Sequence, residues 1–375
     1  MQNTYYLDNA ATTPLVEPVR QAMIKAMDIF GNPSSTHAVG VEARKAVEKA
    51  RKQVADMIGA SEDEIIFTSG ATEANNMVVN HLYRLYGEKK VSLSAVEHPS
   101  VFEAFHYTFN DWPPFIQVLP DGSLRDERDY APSATSIMLA NNETGLIHDI
   151  PGIAYDYDVI HSDITQYVPH YEMDIHDYAG IDLFDFASFS AHKFNGPKGV
   201  GALFVNRSFS RHDLHKHITT FMHGGGQESG QRSGTENVIG IVGMGAAAEW
   251  TMNHYDNGMT YDTVQEFRDI IENCLPVGTQ INFESGIPVY SVYIPGVNNE
   301  TLAMACSMRG VYFSTSSACH GNDSEPSLVL MNMGLPKERV MNTIRLSPSI
   351  NMHPDVLASA CGIIADVADS LRKIA

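Results

Sequence analysis

Two rhythms of apolar residues alternate along the chain. Short runs rich in β-branched and aromatic residues fall at 64–68, 91–95, 115–119, 135–140, 158–162, 184–189 and 199–205. Turn-forming residues bound them, which predicts buried strands. Longer segments between them place apolar residues on one helical face. Within 15–30 these are Val19, Met23, Met27 and Phe30; within 38–58 they are Ala43, Val47, Ala50, Val54 and Met57, with Gly59 as the stop. A further helix is expected over 73–86. Seven strands interleaved with helices predict a mostly parallel sheet covered on both faces.

Near Trp250 the rhythm changes. Helices are expected at about 261–273, 299–308 and 355–373, and strands at about 288–294, 311–315 and 342–347. The expected class is α/β, with a large domain over 13–250. A smaller α/β domain is expected from 251–375 together with 1–12. The sequence contains no internal repeat and no low-complexity stretch.

Charge and cysteine usage narrow the function classes. The chain carries 45 Asp+Glu against 25 Lys+Arg, a net charge of −20, which disfavours direct binding to nucleic acid or anionic lipid. No apolar run approaches a membrane span and no leader-like segment precedes Tyr5-Tyr6-Leu7, so a soluble, cytoplasmic protein is expected. Cys274, Cys306, Cys319 and Cys361 are widely spaced with no C-x-x-C, which argues for a reducing compartment and against a structural metal site. Cys306 and Cys361 fall in apolar-periodic runs and are expected in the core.

Candidate chemistry gathers at strand ends. Ser190, His192 and Lys193 sit in the turn between the runs 184–189 and 199–205, before Asn195-Gly196-Pro197. An amine between apolar strand and a tight loop suits Schiff-base chemistry, although a solvated loop lysine is the ordinary reading. The turn Thr68–Thr72 ends a strand and opens a helix, a geometry that binds phosphate and also serves as a plain connection. Asp163 ends another strand, where an acid faces the crevice of an open α/β sheet or caps the next helix. Glu97-His98 and Asn141-Asn142-Glu143 follow two more strands. Cys319 lies among small polar residues in 314–326, the setting of a nucleophile, and Arg345 could clamp a carboxylate.

Taken in order, these segments resemble the cysteine desulfurases, class-V members of the fold-type I pyridoxal-phosphate enzymes, of the nitrogen-fixation and iron–sulfur assembly type. The resemblance spans nearly the whole chain. It rests on Leu7-Asp8-Asn9-Ala10-Ala11-Thr12-Thr13-Pro14, Gly31–Ser35, Thr68–Glu73, Glu97-His98, Asn141–Glu143, Asp163 with Thr165-Gln166, and Ser190-x-His192-Lys193. To these it adds His223–Glu228, Arg232–Thr235, Ser316-x-Ala318-Cys319 with Glu325-Pro326-Ser327, and Ile344-Arg345. The resemblance implies that pyridoxal 5′-phosphate is tethered to Lys193, which then moves the substrate Cα proton. It implies that Asp163 pairs with the ring nitrogen, Gln166 reaches the ring oxygen and His98 stacks on the ring. Ala71, Thr72, Ser190 and His192 would hold the phosphate, and Thr235 would reach the phosphate of a neighbouring subunit in a homodimer. Asn142 and Arg345 would take the substrate carboxylate, and Cys319 would accept sulfur from L-cysteine as a persulfide for an acceptor protein.

The sequence departs from the family pattern at Ala191, where glycine is more frequent, and at His320-Gly321-Asn322, where small hydroxyl residues are more frequent. Two other readings stay open at this stage. One is a related class-V enzyme (selenocysteine lyase, cysteine lyase or aminotransferase); the other is a non-catalytic sulfur-relay subunit.

Overall fold

The computed structural model describes residues 4–87, 90–109, 112–125, 133–207, 217–255, 261–315 and 325–373; Cys319 and His320 lie outside the described residues. In chain order the first elements are β1 (Tyr5–Tyr6), α1 (Glu17–Ala26), α2 (Ala38–Ile58), β2 (Ile65–Thr68), α3 (Ala71–Tyr86), β3 (Val91–Ser94) and α4 (Pro99–Thr108). Then come β4 (Phe115–Val118), β5 (Leu124–Arg125), β6 (Ala134–Ser136), β7 (Val159–Asp163), β8 (Phe186–Ser190), β9 (Gly201–Val205) and α5 (Val238–Tyr255).

Among the described residues these strands form one eight-stranded sheet in the order β2-β9-β8-β7-β6-β3-β4-β5. The run β8-β7-β6-β3-β4 is parallel, while β9 lies antiparallel to both its neighbours and β5 turns back on β4. The seven expected strands are all there, and the two-residue β5 is added to them. Every residue of β2, β3, β7, β8 and β9 is buried, which is why these strands read as continuous rather than alternating apolar runs.

Successive residues still point to opposite faces. Phe67, Ala187 and Phe204 pack with Val47, Val54 and Met244, from α2 and α5. Their neighbours Ile66, Phe186 and Leu203 pack with Val78, Leu82, Val101 and Phe105, from α3 and α4. Helix α2 follows the expected stripe, with Ala43, Val47, Ala50, Val54 and Met57 buried, and ends at Gly59 in the left-handed region (φ 70°). Helix α1 is shorter than expected. It stops at Ala26, ahead of the breaker Gly31-Asn32-Pro33, so Met27 and Phe30 leave the face that buries Val19 and stand exposed.

The remaining elements are α6 (Tyr261–Cys274), β10 (Gln280–Ile281), β11 (Tyr290–Tyr293), α7 (Asn299–Ser307), β12 (Val311–Tyr312), β13 (Ser314–Thr315), α8 (Leu328–Asn332), α9 (Lys337–Met341), β14 (Thr343–Leu346) and α10 (Pro354–Arg372). Strands β10-β11-β14-β13 make an antiparallel sheet. It packs on a core of Val264, Phe267, Leu302, Cys306, Leu357, Cys361 and Ile364. Cys306 and Cys361 are fully buried, and burial pushes both thiols up to about 12, which leaves them unreactive.

The single strand expected at 311–315 is two. β12 pairs in parallel with β1, whereas β13 crosses to pair with β14. Residues 5–8 therefore lie along this second part of the chain, with Asp8 bridged to Ser347. From there the segment runs into the crevice beside β8. Among the described residues no helix is long and apolar enough to cross a membrane.

Candidate active site

Beyond the carboxyl ends of the parallel strands lies a cavity of about 380 Å3. The first turns of α3 and α4, the 138–143 loop, residues 8–11 and the β13–β14 pair complete its wall. Ligands bind at this edge of open α/β sheets because strand ends and helix N-termini converge there.

Lys193 follows β8 in a single turn of 3₁₀ helix. Its Nζ donates to the carbonyls of Ala10 (2.6 Å) and Ala11 (3.0 Å). The same segment grips the turn from outside, since Thr13 N–H donates to His192 O (2.9 Å) and Asn195 N–H to Thr13 Oγ1 (2.7 Å). Gln166 Nε2 also donates to Ala10 O, at 2.8 Å. Residues 10–14 thus form a seat that aims the lysine into the cavity. His192, whose Nδ1 lies 3.2 Å from Thr12 Oγ1, is pushed down to about 4 by burial, then by the nearby Lys193, Lys198 and His98 charges. At neutral pH it is an uncharged ring.

Asp163 closes β7 and is almost fully buried. Its Oδ1 accepts the Thr165 N–H (3.0 Å) and its Oδ2 accepts Asn75 Nδ2 (2.9 Å). Asn75 Nδ2 also donates to Ser100 Oγ (2.8 Å), which lies 2.8 Å from His98 Nδ1. His98 caps α4 by accepting the Ser100 N–H at 3.1 Å. Burial lowers its pKa; the Asp163 charge opposes the shift, and the Lys193 and Arg345 charges add to it.

Where β2 gives way to α3, a helix N-terminus meets the turn that follows β8. The leading N–H groups of a helix have no intrahelical acceptor, and that of Ala71 donates to Ser190 Oγ at 2.6 Å. Two glycines permit this approach. Gly70 has φ 156°, and a Cβ at Gly201 would stand 2.6 Å from Gly70 Cα and 2.6 Å from Phe189 O. Ala71, Thr72, Ser190 and His192 all face the cavity here.

The 141–144 turn is shaped by Asn141. Its Oδ1 accepts the N–H groups of Glu143 (2.8 Å) and Thr144 (2.9 Å), and its Nδ2 donates to Val96 O (3.0 Å). Asn141 is used up in structure, whereas Asn142 lines the cavity with its Oδ1 buried and without a partner. Arg345 on β14 is 6 % exposed; its Nη1 donates to Asn142 O (3.0 Å) and its Nη2 to Asp8 Oδ1 (2.8 Å), leaving Nε buried and unpaired. Glu143 accepts from Ser327 Oγ at 2.5 Å, and burial pushes its carboxyl up to about 7. Glu97, beneath, accepts from Ser94 Oγ and Met138 N–H and is pushed by burial up to about 8.

One sequence-derived residue stands apart. Thr235 is exposed and lines a separate cleft with Ser69, Arg232 and Gly234.

The family model for aminotransferase class-V matches residues 5–356. The chain belongs to the class-V aminotransferase family. It is 36 % identical over 398 aligned residues to "Cysteine desulfurase IscS" of Dictyoglomus turgidum, covering 100 % of this chain and 97 % of that protein. The solved structure of a "NifS-like protein" superposes with a TM-score of 0.85 at 29 % identity, over 98 % of this chain and 100 % of the other. A structure described as "SspA in complex with cysteine" gives 0.75 at 28 %, over 92 % and 99 %. The fold is that of the fold-type I pyridoxal-phosphate enzymes, and pyridoxal 5′-phosphate is the cofactor of this class-V chain.

Within this class-V site, sequence reasoning singled out neither Asn75 nor Ser100, and it took Arg345 as a free clamp without the Asp8 pairing. Asn75 did carry a signal. It sits in the apolar stripe Ala71, Ala74, Asn75, Val78, Val79, Leu82 of α3, where a polar residue must be paired once buried.

Proposed function

We propose that the chain is a cysteine desulfurase that converts L-cysteine to L-alanine and passes the sulfur, as a persulfide on Cys319, to an acceptor protein. The observation that carries this reading is the convergence of Lys193, Asp163, Asn142 and Arg345 on one cavity. The cavity fits pyridoxal phosphate on its own chemistry. It offers an amine for the aldehyde at Lys193, a carboxylate for the ring nitrogen at Asp163, and a helix N-terminus with Ser190 and His192 for the phosphate. In this reading Gln166 would reach the ring oxygen and His98 would stack on the ring face. Bound there, the cofactor supplies an electron sink beside the substrate Cα.

The remaining roles belong to the chain. Asn142 Oδ1 and the unpaired Arg345 Nε are buried polar groups awaiting a ligand, and a substrate carboxylate lies within the chemistry of the guanidinium. The Lys193 amine, held by the Ala10 and Ala11 carbonyls, is positioned to move a proton at the substrate Cα. Cys319 then forms the S–S bond as the substrate C–S bond breaks. Exposed Thr235, together with the exposed apolar residues Met27, Phe30 and Phe221, supports a homodimer in which Thr235 completes the phosphate site of the partner subunit. We assign the protein to the cytoplasm, with iron–sulfur cluster assembly as the destination class for its sulfur. The division into a domain of 13–250 and one of 1–12 with 251–375 belongs to the same reading.

Borohydride treatment of the cofactor-loaded protein, followed by peptide mapping, should place the fixed cofactor on Lys193. Alanine and sulfide should form in equal amounts from L-cysteine with a reductant present. Cys319→Ala should abolish sulfur release and Lys193→Ala both products. Undiminished alanine formation by Lys193→Ala would overturn the assignment.

A further inference from the structure

We infer that Asn75 and Ser100 form a hydrogen-bonded bridge that holds His98 with its ring proton on Nε2 while fixing the carboxylate of Asp163. Neither residue is a catalytic group; both act by positioning.

The argument is an accounting of hydrogens. Asn75 is fully buried, and its amide nitrogen has two hydrogens and two acceptors, Asp163 Oδ2 at 2.9 Å and Ser100 Oγ at 2.8 Å. Turning the amide over would set its oxygen against the Asp163 carboxylate, so this orientation is the one the site accepts. It leaves Asn75 Oδ1 buried without a partner, a cost borne to deliver two donors to the site. The Ser100 hydroxyl, already accepting from Asn75, has one hydrogen left, and His98 Nδ1 is 2.8 Å away. The Ser100 backbone N–H points at the same nitrogen from 3.1 Å. Two donors converge on Nδ1, which therefore carries no proton. A neutral imidazole then has its hydrogen on Nε2.

The bridge has a polarity that runs outward from Asn75, one way to Asp163 and the other through Ser100 to His98. His98 therefore offers the cavity a donor. It can take up a second proton only at Nδ1, by turning both Ser100 donors away. The two groups assigned to the cofactor ring, the carboxylate and the stacking imidazole, are thus held by a single buried amide.

The inference rests on the active-site reading only for what His98 faces; the proton position can be read whatever the reaction. Nitrogen-15 NMR of the full-length protein labelled in histidine, with and without added pyridoxal phosphate, reports the tautomer directly. The wild type should show His98 as the Nε2–H form in both states. Ser100→Ala removes one of the two donors and should raise the Nδ1–H share about fivefold, with Ser100→Thr restoring the wild-type pattern. Asn75→Leu, which keeps the volume and removes both donors, should in addition weaken pyridoxal phosphate binding at least fivefold. A wild-type proton on Nδ1, or unchanged nitrogen shifts in Ser100→Ala, would overturn the bridge even in a fully active enzyme. An intact bridge in a protein that makes no alanine would instead count against the proposed function.

Discussion

Gly201→Ala is the substitution that most directly probes how the proposed phosphate cradle is made. Gly201 opens β9 and lies opposite Thr68 on one side and Ser190 on the other. An added Cβ would meet Gly70 Cα at 2.6 Å, Phe189 O at 2.6 Å and Gly70 C at 2.8 Å. All three are backbone atoms, so no side chain can swing aside. Restoring an ordinary carbon–carbon contact of about 3.5 Å requires a displacement of about 0.9 Å. The sheet is covered on both faces, so the movement falls on the Gly70 turn and opens the 2.6 Å contact between Ala71 N–H and Ser190 Oγ. Overpacking of this kind costs roughly 1–3 kcal/mol.

Urea denaturation of the cofactor-free protein should show a lower midpoint, and titration with pyridoxal phosphate should show weaker binding. Gly362→Ala is the matched control. It lies within α10, and nothing stands within 4 Å of its added Cβ. That substitution should raise stability by about 0.5–1 kcal/mol with cofactor affinity unchanged. Wild-type affinity in Gly201→Ala, with a lowered urea midpoint, would show that the close approach of β9 and the Gly70 turn does not set the cradle.

Two further outcomes follow from the buried charges. Glu97 keeps its proton to about 8 and Glu143 to about 7 in the fold, against 4.5 in the unfolded chain. The folded state therefore binds more protons across that interval, and these groups make stability fall as pH rises through it. His148 and His161, pushed down by burial to about 4 from 6.5, do the opposite below 6.5. The trends oppose each other up to 6.5; above it the carboxyls act in the same direction as His176, whose pKa is raised by its hydrogen bond to Glu64. The urea midpoint should fall from pH 6.5 to 8, and Glu97→Gln should flatten that decline; a midpoint that rises in the wild type contradicts the assignment. Asp8→Asn removes the anion that sits on Arg345 Nη2 at 2.8 Å. A partly exposed pair is worth about 1 kcal/mol, so the KM for L-cysteine should drop about fivefold with a smaller change in kcat; a raised KM would mean that Asp8 positions the guanidinium instead of competing for it.

The fold was legible where burial was uniform. Strands such as β8 and β9, buried at every residue, could only read as apolar runs, and α2 announced both its stripe and its glycine stop. Leu124–Arg125 escaped because two residues carry no period, and its pairing with β4 is set by a turn. The end of α1 escaped because Met27 and Phe30 continue the spacing after the backbone has left the helix. Short motifs led to the residues at the cavity wall, many of them at the end of a strand or the start of a helix, with Arg345 inside β14. The pairings of these side chains were less legible for a physical reason, although Asn75 stands out as a polar residue in the apolar stripe of α3. Asn75 meets Ser100 across 25 positions and Asp163 across 88, and Asp8 meets Arg345 across 337. Nothing local in the sequence marks such a pair.

The seat of Lys193 has a bearing on how the molecule comes into being. The Ala10 N–H is fixed by Ser347 Oγ at 3.0 Å, and the carbonyls of Ala10 and Ala11 hold the amine. A chain leaving the ribosome exposes residue 10 more than 300 residues before residue 347. The central strands, complete by residue 205, can assemble long before that closure. Uptake of the vitamin-derived cofactor should therefore follow assembly of the central sheet, and nascent chains stalled between residues 205 and 347 should carry a folded sheet that is still unable to retain it.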